Sequence, residues 1–149
     1  MEFIYIILLI AVDQLAKYAA RTGLPERVIT LVPGFFELTY LENRGAAFGI
    51  FQSRRFILIG ITSIVIIVLI IYMIKRKPAK SWMRASLILI IGGAIGNLID
   101  RVANGYVVDY LHFYIRDLFD WPVFNFADIC VVVGTLLLAA ELLFTKEQS

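Results

Sequence analysis

The chain has 149 residues, 60% of them hydrophobic, and a formal net charge of +2. A soluble domain sits near ~45–50% apolar, so the excess assigns the chain to the membrane and leaves length for one domain and a few spans. So small a charge, with no basic stripe, excludes a nucleic-acid partner, and the single cysteine, Cys130, excludes an intramolecular disulfide.

A spanning helix needs about 20 mostly apolar residues. The first candidate, about residues 2–20, is apolar from Phe3 to Val12 and then admits Asp13, Gln14 and Lys17. Its apolar run is short enough for a signal peptide. It lacks a basic start, however, having only Glu2, and it carries charges where a small-residue cleavage site would fall. It reads as a retained helix. VITLVPGFFELTYLEN follows, with Pro33-Gly34 between two β-prone runs, which predicts a small sheet over about residues 28–51.

The second helix, about 56–74, has no charge at all. It ends in KRKPAKSWMR, Lys75 to Arg84, with five positive charges and no negative one. By the positive-inside rule this loop is cytoplasmic, and with four helices so are both termini. The Arg21–Arg55 connection also holds five basic residues, but spread over a longer stretch and mixed with acids. Charge density, not the raw count, sets the orientation. The third helix, about 84–103, turns polar near its end. GYVVDYLHFYIRDLFDW then fits a helical and a strand period equally, and its aromatic residues suit the membrane interface. A fourth helix covers about 126–145. The expected fold is a single integral-membrane domain, residues 1–149: an all-α bundle of four transmembrane helices with a small extracytoplasmic β-cradle and an interfacial segment.

In that orientation the polar residues gather at one leaflet. Asp13, Gln14 and Lys17 lie toward the outer end of helix one. Asn97, Asp100 and Arg101 lie at the outer end of helix three, and Asn125 and Asp128 open helix four. An ionisable group near the bilayer centre costs ~2.5–3.5 kcal/mol, so such groups face the bundle interior and serve a function. Asp13 and Lys17 are four apart and share a face. Gly93, Asn97 and Arg101 also step by four, and Gly92-xxx-Gly96 permits close helix contact. Taken singly, each has a bland reading: a structural ion pair, a snorkelling side chain, or packing. Asn125 with Asp128 three residues on is a capping-box pattern, which by itself needs no further role. It leaves Asp109, a second carboxylate on the same side, unexplained. Two carboxylates in a low-dielectric site share a proton and become acid and base together, with the helix-four dipole favouring Asp128 as the charged one.

Other chemistries fit poorly. The single histidine, His112, excludes HExxH and multi-histidine zinc sites. A Cys130–His112 nucleophile pair is conceivable, but Cys130 follows Asp128 by two residues and points to another face. The oxygen ligands for a magnesium site are too few. There is no Ser–Lys pair in a suitable setting and no glycine loop for phosphate.

DQLAK (Asp13–Lys17), NRGAAFG from Asn43, GGAIGNLIDR (Gly92–Arg101), VVDY ending at Tyr110 and FNFADI (Phe124–Ile129) occur in this order. Together they resemble the bacterial lipoprotein signal peptidases, also called signal peptidase II. Tyr110 stands where phenylalanine is frequent, and Phe126 where an aliphatic residue is usual. The resemblance implies an aspartyl endopeptidase that removes the signal peptide from diacylglyceryl-modified prolipoproteins, cutting before the lipidated cysteine. It implies Asp109 and Asp128 as the catalytic pair. Asp13, Lys17, Asn43, Asn97, Arg101 and Asn125 would position substrate and order the site. It implies no metal or organic cofactor, a monomer in the lipid of the bacterial inner membrane, an active site toward the outer leaflet, and inhibition by globomycin-type peptides. Two rivals stand beside it: a proton or ion pathway, which needs polar groups through the full depth, and a structural subunit, which needs no carboxylate at all.

Overall fold

A computed structural model describes residues 1–45, 55–78, 81–115 and 118–146. Four helices are each long and apolar enough to cross a membrane: α1 (Glu2–Gly23), α2 (Arg55–Arg76), α3 (Ser81–Ala103) and α4 (Phe126–Lys146). Between them lie β1 (Ile29–Val32), β2 (Phe36–Asn43), β3 (Val107–Ile115) and β4 (Phe119–Asp120). At 1.5 Å per residue the helices run ~30–35 Å, the thickness of a bilayer core. All four extend beyond the apolar runs, because helical hydrogen bonding continues into interfacial residues such as Trp82 and Arg84.

α3 is the central helix, with α1, α2 and α4 packed around it. Its stripe of Leu87 and Ile91 meets Ile6 of α1 and Ile66 and Met73 of α2 in one buried cluster. The small residues of α3 set how closely the other helices approach. A Cβ on Gly92 would touch Leu9 of α1 at 3.0 Å, and one on Gly93 would collide with the Ala127 carbonyl of α4. The outward faces stay apolar and exposed, as in Ile57, Ile61, Ile64 and Val68 of α2, and Val132 and Leu136 of α4. In lipid this is the low-energy arrangement, since nothing apolar there needs shielding from water.

The sheet caps the bundle at the ends of α1 and α3 and the start of α4. Its order is β1-β2-β3-β4, all neighbours antiparallel. Pro33-Gly34 makes the β1–β2 turn. Gly34 has φ +78°, and Phe35 N–H bonds the Val32 carbonyl at 3.0 Å, which is a type II turn with proline and glycine in their required places. The 107–115 segment is a strand. Its partner decides the period that the sequence leaves open: Val107 pairs with Asn43, Asp109 with Leu41 and Leu111 with Leu38. Val108 and Tyr110 seal the sheet against Ala20 of α1 and Leu24 just past its end, and that burial accounts for α1 running on to Gly23. The part of the NRGAAFG motif from Ala46 to Gly49, and the end of the expected cradle, fall outside the described residues.

Candidate active site

Asp109 lies on β3 and is fully buried. Its direct cross-strand neighbour is Leu41, so the diagonal neighbour Asn43 shares its face of the sheet. Asn43 Nδ2 donates to Asp109 Oδ2 at 2.8 Å. Asn43 Oδ1 in turn accepts from Gly45 N–H at 3.0 Å, which holds the amide in place.

Asp128 lies in the first turn of α4. The capping box forms reciprocally: Asp128 N–H donates to Asn125 Oδ1 at 2.9 Å, and Asn125 N–H donates to Asp128 Oδ2 at 3.1 Å. Asn125 then has its Nδ2 left over, and this donates to Asp109 Oδ1 at 2.6 Å. One asparagine thus holds both carboxylates, one by its backbone and one by its side chain. It is itself delivered by β3, because Phe124 exchanges backbone hydrogen bonds with Leu111.

Asn97 of α3 joins this pair to α1. Its Nδ2 donates to Asp128 Oδ1 at 2.8 Å, and its Oδ1 accepts from Lys17 Nζ at 2.8 Å and from Asn125 at 3.2 Å. Lys17 is 1% exposed. Its other bonds go to Asp13 at 2.9 Å and Asp100 at 3.1 Å, so all three ammonium protons have acceptors. Asp13 also bonds the Ala127 N–H at 3.0 Å, and Asp100 the Val108 N–H at 3.1 Å. Arg101 reaches the Gly45 carbonyl at 3.2 Å and its own helix at Asn97 O.

Burial, first, and the Asp128 charge, second, raise the Asp109 carboxyl to about 7, against the opposing pull of Asn43, Asn125 and Lys17. Such a group titrates near neutrality rather than in the ordinary carboxylate range. A buried carboxyl that titrates there, beside a second carboxylate, can exchange a proton with a reacting group in either direction.

The structure brings Asp13, Lys17, Asn43, Asn97, Arg101, Asn125, Asp109 and Asp128 into one continuous hydrogen-bonded site. Sequence reasoning places two further members, Asp100 and Gln14, at the same leaflet but gives neither a site role. Asp100 stands in the quoted GGAIGNLIDR stretch but is not singled out as a site residue. Its step of four from Gly96, whose open face admits Asp13, is the signal that places it beside α1. Gln14 bonds Asp13 and the Gly96 carbonyl at 3.2 Å each, and nothing in the sequence points to that contact. His112 and Cys130 lie apart. His112 bonds Glu37 and Asp120 across the sheet, and Cys130 packs beside Gly93 inside the bundle. Among the described residues no group of histidine, cysteine and carboxylate side chains is arranged to hold a metal ion.

This architecture is shared. Residues 5–144 match the family described as signal peptidase (SPase) II. The chain belongs to the signal peptidase II family. The lipoprotein signal peptidase of Clostridium acetobutylicum is 46% identical over 140 residues, covering 93% of this chain and 91% of that one. That of Clostridium tetani is 44% identical over 140 residues, covering 93% and 89%. A solved bacterial membrane enzyme superposes with a TM-score of 0.85 at 30% identity, over 99% of this chain and 89% of the other. As a signal peptidase II the chain is a multi-pass membrane protease, and the buried polar site is where its chemistry has to be sought.

Proposed function

We propose that this signal peptidase II is an aspartyl endopeptidase that removes the signal peptide from diacylglyceryl-modified prolipoproteins, cutting before the lipidated cysteine, with Asp109 and Asp128 as its catalytic pair. The observation that carries this is the double hold of Asn125: its side chain on Asp109 and its backbone on Asp128. A buried carboxylate and a half-buried one so tethered share a proton, and no other pair among the described residues is built this way. The names of the relatives supply the lipoprotein substrate.

The proton assignment follows from the surroundings. Asp128 sits at a helix N-terminus with a backbone donor and so carries the charge. Asp109 holds the proton. Asp128 takes a proton from a water as the water oxygen bonds to the scissile carbonyl carbon. Asp109 gives its proton to the carbonyl oxygen, which yields a neutral tetrahedral diol. The proton on Asp128 passes to the departing nitrogen, the C–N bond breaks, and Asp109 recovers its proton from the collapsing diol. The residues needed are the two aspartates, with no cofactor or metal.

Cleavage at membrane depth requires an unwound substrate backbone whose polar groups lipid cannot satisfy. Arg101, which bonds the Gly45 carbonyl, and Asn43, next to it, are the donors available to that backbone. Asp13, Lys17, Asn97 and Asn125 order the pair. The site faces the outer leaflet of the bacterial inner membrane, with both termini and the Lys75–Arg84 loop cytoplasmic. The enzyme works as a monomer in membrane lipid, and globomycin-type peptides occupy the same site.

The test is cleavage of a diacylglyceryl-modified prolipoprotein by purified protein in detergent, with the unlipidated precursor as control. Wild type should cut only the lipidated substrate, and folded Asp109→Asn and Asp128→Asn should both be inactive. Cleavage by either variant would remove the pair from the chemistry. The ion-pathway rival gains nothing from the buried polar groups. Among the described residues, six of the seven buried polar side chains lie at the sheet end, and the seventh, Ser86, bonds its own helix at Met83.

A further inference from the structure

The residue immediately before each paired aspartate is anchored in the same way. Ala127, which precedes Asp128, donates its N–H to Asp13 Oδ1 at 3.0 Å. Val108, which precedes Asp109, donates its N–H to Asp100 Oδ2 at 3.1 Å. Both residues are fully buried, so neither N–H has water as an alternative. The two accepting carboxylates are in turn joined by one ammonium, Lys17 Nζ, at 2.9 and 3.1 Å. The third proton of that ammonium goes to Asn97, which bonds Asp128 directly. The start of α4 and the start of β3 are therefore fixed to a common point.

An ion cluster this deep costs much to desolvate, and an apolar cluster of the same volume would serve stability as well or better. A stability role alone does not explain why its acceptors fall on the two backbone positions next to the carboxylates. We propose that Asp100 is a further positioning residue, which through Val108 and Lys17 registers β3 and so helps set the separation of the Asp109–Asp128 pair. This rests on the catalytic reading of the pair given above.

Asp100 allows a clean test, because a single oxygen, Oδ2, accepts from both Val108 and Lys17. Asp100→Asn can keep both bonds through its one carbonyl oxygen. Asp100→Ala keeps neither. A displacement of about 1 Å at a reacting group costs on the order of 100-fold in rate. Asp100→Ala should therefore lose about 100-fold in kcat with KM within about 3-fold, and Asp100→Asn, with both compared on the acid side of the Asp109 titration, should retain kcat within about 3-fold. Equal losses in the two variants, no loss in folded Asp100→Ala, or a loss confined to KM would each overturn the proposal.

A second readout needs no turnover. The Asp109 carboxyl band, followed by infrared titration and assigned by its absence in Asp109→Asn, reports its ionisation. The charged groups around Asp109 are Asp13 and Lys17 of α1, Asp100 and Arg101 of α3, Asp128 of α4, and Glu42 of β2 with its partner Arg44. Asp100→Asn removes one negative charge from this set and frees the Lys17 charge to act on the pair. The Asp109 titration should move to lower pH. An unmoved titration would overturn the link between the cluster and the pair, even if Asp100→Ala fails to fold. If the wild type cuts nothing, the protease reading fails by itself, and the Asp109 titration still decides whether the cluster is linked to the pair.

Discussion

Asn125 holds Asp109 at 2.6 Å with the same side chain whose oxygen caps α4. The two jobs use different atoms, so they separate by substitution. Asn125→Ser keeps a capping oxygen and loses the amide donor. It should unfold within a few degrees of wild type and lose at least about 10-fold in cleavage rate. Asn125→Ala loses both, and should in addition be less stable by about 1 kcal/mol. Thermal unfolding in detergent beside the cleavage assay distinguishes them. Full activity in Asn125→Ser would show that the bond to Asp109 is dispensable.

The pH profile has a predictable alkaline limb. Asp109 must carry a proton to polarise the carbonyl, and burial with the Asp128 charge lifts its carboxyl to about 7. Raising the pH through that value removes the proton, so kcat should fall above neutrality. Asp109→Glu, where it folds, should shift the limb rather than abolish it. A rate that stays level through about pH 9 would mean that Asp109 is not the acid.

The glycines of α3 and α2 should answer an alanine substitution differently. A Cβ on Gly96 would lie 2.5 Å from Asp13 Oδ2, and one on Gly93 would strike the Ala127 carbonyl. Gly96→Ala and Gly93→Ala should each destabilise by about 1–3 kcal/mol, the usual cost of overpacking. Gly96→Ala should also reduce cleavage, because it pushes on the carboxylate that anchors α4. Gly60 of α2 has open space around it, and Gly60→Ala should be neutral or slightly stabilising. Melting curves of the three in one detergent give the comparison.

The legibility of the sequence varies with how local the determining interaction is. The helices are plain because a bilayer demands an uninterrupted apolar run, and α2, without a charge from Phe56 to Ile74, shows it best. The Pro33-Gly34 turn and the Asn125–Asp128 box are legible because each closes within four residues. β3 is not, since Val107–Ile115 is apolar and aromatic enough for either period, and only its register with β2 decides. Asp100 shows the same limit within the site. Its partners are Lys17, on another helix, and Val108, beyond the end of its own, and no helical spacing reports the second. The Asp13–Lys17 pair is legible because four residues place it on one face, whereas its use as an anchor for Ala127 depends on α4 arriving beside it.

His112 makes the sheet itself sensitive to pH. Its two ring nitrogens meet Glu37 on β2 at 2.9 Å and Asp120 on β4 at 2.6 Å. Both nitrogens donate only in the imidazolium. Partial burial works against that charge, but the hydrogen bonds and charges of Glu37 and Asp120 outweigh it, and the histidine is raised above its ordinary value. A folded value above the unfolded one means that the stabilisation is fully present below about 6.5 and is lost as pH rises through the higher, folded value. The hold of β3 on β2 and β4 should loosen over that window. Amide exchange reads it at Tyr114, which bonds Phe35, and at Trp121, which bonds Phe113. After correction for the intrinsic pH dependence of exchange, protection at both should fall from about pH 6 to about pH 9 in wild type. It should stay level in His112→Phe, which keeps the ring stacked near Tyr114 without the charge. The same fall in His112→Phe would assign the loosening to another group.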